Sequence, residues 1–170
     1  MLTKLYPMDY KQSIFDINFE ALWIKGIRGI LFDIDNTLVA YDIIHPTEEI
    51  IQLFEQLKAR GFQICLVSNN TKDRVMKFNT HLKIFAIHKA KKPRRSNLQR
   101  AMTLMHLQKH EVAMVGDQIF TDVLAGNRLG IMTILVAPVS DKDEWITKIK
   151  RGIEKKVVNQ YEKTRKKAAH

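Results

Sequence analysis

The chain has 170 residues, a formal net charge of +10 and a hydrophobic share of 45%, which fits one globular domain with a sizeable core and excludes a disordered polymer or a string of domains. Its single cysteine, Cys65, excludes an internal disulfide framework and reads as a buried thiol in a reducing compartment. Polar residues interrupt every apolar stretch of residues 1–20, and no run approaches the roughly 18 residues of a membrane span, so a cytoplasmic protein without a signal peptide is expected.

In chain order, the first 25 residues predict a short helical or irregular arm. Five apolar runs then predict strands: Gly29–Phe32, Phe62–Val67, Phe85–His88, Glu111–Val115 and Ile131–Val136. Several are apolar on both faces, as buried parallel strands are. Helical patterns separate them. Thr47–Arg60 carries Ile50, Ile51, Phe54 and Leu57 and stops at Gly61; Thr71–Leu82, Ser96–Leu107 and Asp117–Leu129 follow, the last ending at Gly130. Strands alternating with helices predict an α/β fold, a parallel sheet covered on both faces, over residues 1–140 including the arm. Residues 141–170 form a separate basic tail, in which Trp145–His170 holds nine lysines and arginines against Glu154 and Glu162. Trp145, Ile149, Ile153, Val157 and Tyr161 make one helical stripe there. A basic amphipathic helix can lie on an anionic membrane, or pack on its own domain with its charges solvated. The charge also suits nucleic acid, although zinc-knuckle cysteines and RNA-recognition aromatics are absent from the sequence.

The chemistry-bearing residues follow the predicted strands, where ligands bind in such sheets. Asp33-Ile34-Asp35-Asn36-Thr37 leaves the first strand with two carboxylates two residues apart. In extended chain they share a face, and their repulsion calls for a cation such as Mg²⁺; a turn or helix cap uses the same residue types. Ser68-Asn69-Asn70 can bind a phosphoryl oxygen or simply cap a helix. Lys89, Lys91 and Lys92 precede Pro93, as a charge-neutralising lysine or a solvated basic loop. Gly116-Asp117 with Asp122 can complete a metal cage or form an ordinary turn. His106 and His110 lack supporting acids and read as surface residues. A Gly-x-x-x-x-Gly-Lys phosphate loop does not occur.

Taken together, these four clusters resemble the motifs of the haloacid dehalogenase (HAD) superfamily: Asp33 to Thr37 the first, Ser68 the second, Lys92 before Pro93 the third, Gly116-Asp117 with Asp122 the fourth. More narrowly, Leu5-Tyr6-Pro7, Phe32 to Val39, Val67 to Asn70, His88 to Pro93, Gly116 to Gln118 and Gly126 to Gly130 resemble the YqeG family of subfamily IIIA phosphatases. The resemblance implies a HAD-like three-layer Rossmannoid sandwich and a Mg²⁺-dependent phosphatase. It implies Asp33 as nucleophile, Asp35 as proton donor and acceptor, and Lys92 as the charge-neutralising lysine. Ser68, Asn69 and Thr37 would bind substrate; Asp33, Asp35 (through its backbone carbonyl) and Asp117 would hold the metal, with Asp122 in the shell behind it or as an alternative ligand. Relatives that dephosphorylate phosphatidylglycerophosphate make an anionic phospholipid one expected substrate, with peripheral contact at a membrane surface. Soluble sugar or nucleotide phosphates are the alternative, and a non-catalytic RNA or ribosome-assembly adaptor is the rival class. One helix and one strand fill each interval, Asp35 to Ser68 and Ser68 to Lys92, so no cap domain and an open site are expected.

Overall fold

Strand signals this apolar can only be satisfied inside a sheet with both faces covered. The computed structural model of the protein, describing residues 2–140, 152 and 157–159, has that arrangement. Six strands, β1 (Asp9–Lys11), β2 (Gly29–Phe32), β3 (Gln63–Val67), β4 (Phe85–Ile87), β5 (Val112–Gly116) and β6 (Met132–Val136), form one parallel sheet in the order β1-β6-β5-β2-β3-β4.

The pleat sends alternate side chains to opposite layers. Ile30, Phe32, Ile64, Leu66, Ala113 and Val115 pack under α1 (Phe19–Ile24), α2 (Glu48–Ala59) and α3 (Lys72–Asn79). Phe32 stacks on Phe54 of α2 with ring centroids 5.0 Å apart. Leu31, Cys65, Val67 and Met114 face α4 (Ser96–Met105) and α5 (Leu124–Leu129) on the other side. The result is a three-layer sandwich, and Cys65 is fully buried, which pushes its thiol up to about 12.

The N-terminal arm is helical in part, as expected, through the short turns Leu2–Leu5 and Ile14–Asp16 and α1, and departs from expectation in one element. It contains β1, which adds to the edge of β6 with Asp9 opposite Ile134 and Lys11 opposite Val136. Three half-buried residues are too short a run for periodicity to reveal. The expected helix Asp117–Leu129 is also shorter. A π-helical turn, Ile119–Val123, precedes α5, and Gly130 closes α5 in the left-handed conformation with φ 81°. Most of the basic tail, including Trp145, Ile149, Ile153 and Tyr161, lies outside the described residues. The described tail residues Val157 and Val158 pack with Leu5 and Tyr10 against Ile119, Val123 and Leu135.

Candidate active site

From β2 the chain moves to β3 and β4 on one side, then returns to β5 and β6 on the other. The boundary between β2 and β5 is therefore the topological switch point, where a crevice opens at the carboxyl ends of the strands. Asp33 leaves β2 there and Asp117 leaves β5. The Asp33 N–H still donates to Val115 O at 3.0 Å, so the sheet ladder itself fixes the first acid.

Asp33, Asp117 and Asp122 are all buried, and a carboxylate oxygen of each lies within 4.8 Å of the others. Lys92 is buried beside them and donates from Nζ to Asp33 Oδ1 and to Asp122 Oδ1, both at 2.6 Å. Burial pushes the Asp33 carboxyl up to about 7, against the pull of Lys92 and with added repulsion from Asp122 and Asp35. Burial works against the Lys92 charge, but Asp122 and Asp33 outweigh it and hold the ammonium form above its usual range. Three acids around one lysine leave net negative charge in a desolvated place. The all-oxygen donor set matches a hard divalent cation such as Mg²⁺, which would compensate that charge.

Local backbone delivers each group. Gly116 has no side chain because the Asp122 carboxyl occupies the space a Cβ would need. The Gln118 N–H donates to Asp122 Oδ2 at 3.1 Å, and the π-helical turn carries Asp122 back over Gly116. Thr37 is buried and donates from Oγ1 to Asp117 Oδ1 at 3.0 Å, so it faces that acid and not the pocket. Lys89 and Lys91 adopt left-handed backbone, φ 48° and 56°, and both side chains remain exposed while Lys92 turns inward. Asn69 secures that turn: its Oδ1 accepts from Lys92 N at 2.7 Å and its Nδ2 donates to Lys92 O at 3.3 Å. Ser68 Oγ accepts from Asn70 N at 3.0 Å, which orients the hydroxyl at the pocket wall. His106 and His110 are exposed and do not line the pocket.

The second acid of the first motif has a different setting. Arg74 on α3 donates from Nε and Nη2 to Asp35 Oδ1 at 3.1 and 2.9 Å, and Asn70 Nδ2 donates to Asp35 Oδ2 at 3.2 Å. Arg74 also donates from Nη1 to Ile44 O at 2.9 Å, tying α3 to the loop before α2. The sequence reading did not single out Arg74, since an arginine on a helix surface carries no periodic or motif signal. Asp33, Asp35, Ser68, Asn69, Asn70, Lys92, Gln118 and Thr121 line a cavity of about 340 Å³. Only residues 40–47 separate Val39 from α2, too few to hold an inserted domain.

The family model for haloacid dehalogenase-like hydrolases matches residues 39–136. The chain is 41% identical over 160 residues to a Bacillus subtilis (strain 168) protein named probable phosphatase YqeG, covering 94% of this chain and 93% of that one. It is 32% identical over 145 residues to phosphatidylglycerophosphate phosphatase 1, chloroplastic/mitochondrial, of Arabidopsis thaliana, covering 75% of this chain but 39% of that protein. A HAD phosphatase from Thermococcus onnurineus shares the fold, with a TM-score of 0.56 at 14% identity over 70% of this chain and 90% of the other. The motif order, the acids at the switch point and a relative aligned nearly end to end agree: the chain belongs to the haloacid dehalogenase-like hydrolases, as an enzyme of the phosphatase type.

Proposed function

We propose that this phosphatase is Mg²⁺-dependent, works through a phospho-aspartate on Asp33, and takes phosphatidylglycerophosphate as its substrate. The observation that carries the catalytic part is the Lys92 contact to Asp33 inside the three-carboxylate cluster. Asp33 and Asp117, with the Asp35 backbone carbonyl, would hold the ion, and Asp122 would support that set from its place against Lys92 and Gln118. When bound, the ion offsets charge on the phosphoryl oxygens and orients them.

An Asp33 carboxylate oxygen forms a bond to phosphorus as the ester oxygen leaves. Asp35 gives that oxygen its proton. Water then attacks phosphorus, Asp35 takes a proton from it, the acyl–phosphate bond breaks and Asp33 returns as a carboxylate. Lys92 offsets the charge of Asp33 and the phosphoryl group. Ser68, its oxygen already accepting from Asn70 N, has its own proton to donate to a phosphoryl oxygen. Thr37 keeps Asp117 oriented, and Asn69 keeps the Lys92 backbone in place.

Two observations support a lipid substrate. The Arabidopsis relative carries that activity in its name. Tyr41, Ile43 and Ile44 are exposed on the loop after the first motif, and Arg74, which holds the pocket residue Asp35, also donates to Ile44 O on that loop. Such apolar groups suit insertion among lipid headgroups.

A phosphate-release panel with Mg²⁺ tests both levels. Phosphatidylglycerophosphate in vesicles should turn over faster than soluble sugar phosphates, and an Ile43→Ser, Ile44→Ser variant should lose the vesicle activity alone. Turnover of soluble esters only would defeat the lipid assignment. Asp33→Asn should lower turnover by about a thousandfold or more, as loss of a nucleophile does; wild-type rates from that variant would remove Asp33 from its role.

A further inference from the structure

A second cavity, of about 730 Å³, lies between the start of α4 and the end of α5. Lys4, Arg94, Arg95, Lys109 and Arg128 line it together with Ser96, and among the described residues no acidic one does. None of those five cations makes an ion pair with a described residue, whereas Lys11, Arg74, Lys77 and Lys92 all do. Arg95 reaches across the cavity, donating from Nη1 to Arg128 O at 3.4 Å. The ten-residue helix α4 opens into it at Ser96, and no side chain caps that end. Five like charges converging on one concavity repel each other, and the positive end of a helix adds to the same potential.

We propose that this groove is a second, non-catalytic binding site for a small soluble ligand carrying two or more phosphate groups. The volume falls within the usual range of small-molecule sites. Several cations spread around the wall suit several phosphates more than one. Their donors are mainly guanidinium groups, which match phosphate geometry bidentately. The concave shape does not fit a flat bilayer, and among the described residues the lining offers no aromatic ring on which a nucleobase could stack. Pro93 lines the groove and its chain neighbour Lys92 lines the other pocket, and the two cavities share no lining residue among those described.

Calorimetric titration of tripolyphosphate into the full-length protein, with chelator present and at low salt, is the test. Saturable one-to-one binding is expected, weakening steeply with added salt. Replacing Arg95, Lys109 and Arg128 together by glutamine should weaken binding by about tenfold or more, by loss of charge-assisted contacts. The variant should melt no lower than wild type. An equal change in the tail, Lys163→Gln with Arg165→Gln and Lys166→Gln, should leave the affinity within about threefold, a difference below 1 kcal/mol. Unchanged binding in the groove variant, or loss confined to the tail variant, would overturn the site. Groove-dependent binding to phosphatidylglycerol vesicles without any tripolyphosphate binding would overturn the soluble ligand.

Discussion

The acid-lined pocket at the switch point and the basic groove both concentrate charge, under opposite physical terms. In the pocket the Lys92 side chain is 2% exposed and the Asp122 side chain 1%, and each charge leans on an opposite one. In the groove the cations stay at the surface and none is paired among the described residues. Buried charge is tolerated only with partners, because the lost hydration is large. Exposed like charge is tolerated without partners, because water and counter-ions screen it over about 8 Å at physiological salt. The pocket is thus organised for chemistry on a fixed geometry, and the groove for capture by an electrostatic field.

The sharpest contrast comes from removing one cation from each region. Lys92→Met deletes the counter-charge of Asp33 and Asp122 while keeping the stem's bulk. It should cost about 3–5 kcal/mol of stability, the typical penalty for stranding a buried charge. The loss should be greatest above about pH 7 and shrink in acid, where the stranded carboxyls take up protons. Chemical denaturation across pH measures this. A variant as stable as wild type at neutral pH would contradict the buried-pair picture.

The metal response follows next in size. The Asp33 carboxyl, normally near 3.8, is pushed up to about 7. Between those values the folded protein keeps a proton that the unfolded chain has lost. The metal-free fold therefore loses stability as pH rises through that window. Above it the site holds an ionised, poorly compensated carboxylate. Below it a cation must displace a proton. Added Mg²⁺ should then raise the melting temperature by several degrees near pH 8 and much less near pH 5, consistent with linkage worth about 1–3 kcal/mol. Equal shifts at both pH values would argue against Asp33 as a ligand. In activity, the acid limb should move to lower pH as Mg²⁺ is raised.

A smaller effect probes the edge of the pocket. Arg74 pins Asp35 by two donors on one oxygen while Asn70 holds the other. Arg74→Gln should lower kcat by about tenfold, about 1.4 kcal/mol of lost orientation, with KM changed less. Lysine at this position should restore only part of the rate, since it lacks the planar fork. An unchanged kcat would make the ion pair a matter of packing alone.

How much of this was legible follows from where each signal sits. Asp33 and Asp117 stood out because polar residues interrupt apolar runs at strand ends, and a parallel sheet gathers such ends at one edge. The strand positions followed from side chains apolar on both faces. Asn69 was legible as a site residue, but its grip on the Lys92 backbone was not, because side-chain-to-backbone bonds between distant loops leave no spacing in sequence. β1 was missed because three residues are too few to show a period, and the π-helical turn because its extra residue resembles ordinary helix. The groove draws its cations from four separated segments: Lys4, the Arg94–Arg95 pair, Lys109 and Arg128. Only the packing of α4 against α5 and the N-terminal turn Leu2–Leu5 brings them together.

The smallest expected effect closes the comparison. Arg95→Gln and Arg128→Gln each remove a positive charge, as Lys92→Met does, but from exposed positions. Each should change stability by no more than about 0.5 kcal/mol, the usual range for surface substitutions. The Arg95 bond to Arg128 O is long, at 3.4 Å, and contributes little against this. Because the neighbouring charges among the described lining residues are all positive, the double variant should be slightly more stable than wild type at low salt. The gain should vanish as salt screens the repulsion. Melting curves at two ionic strengths read this directly. A salt-independent loss of several degrees would mean that the groove cations are tied into the fold, and the distinction between paired buried charge and unpaired surface charge would fail.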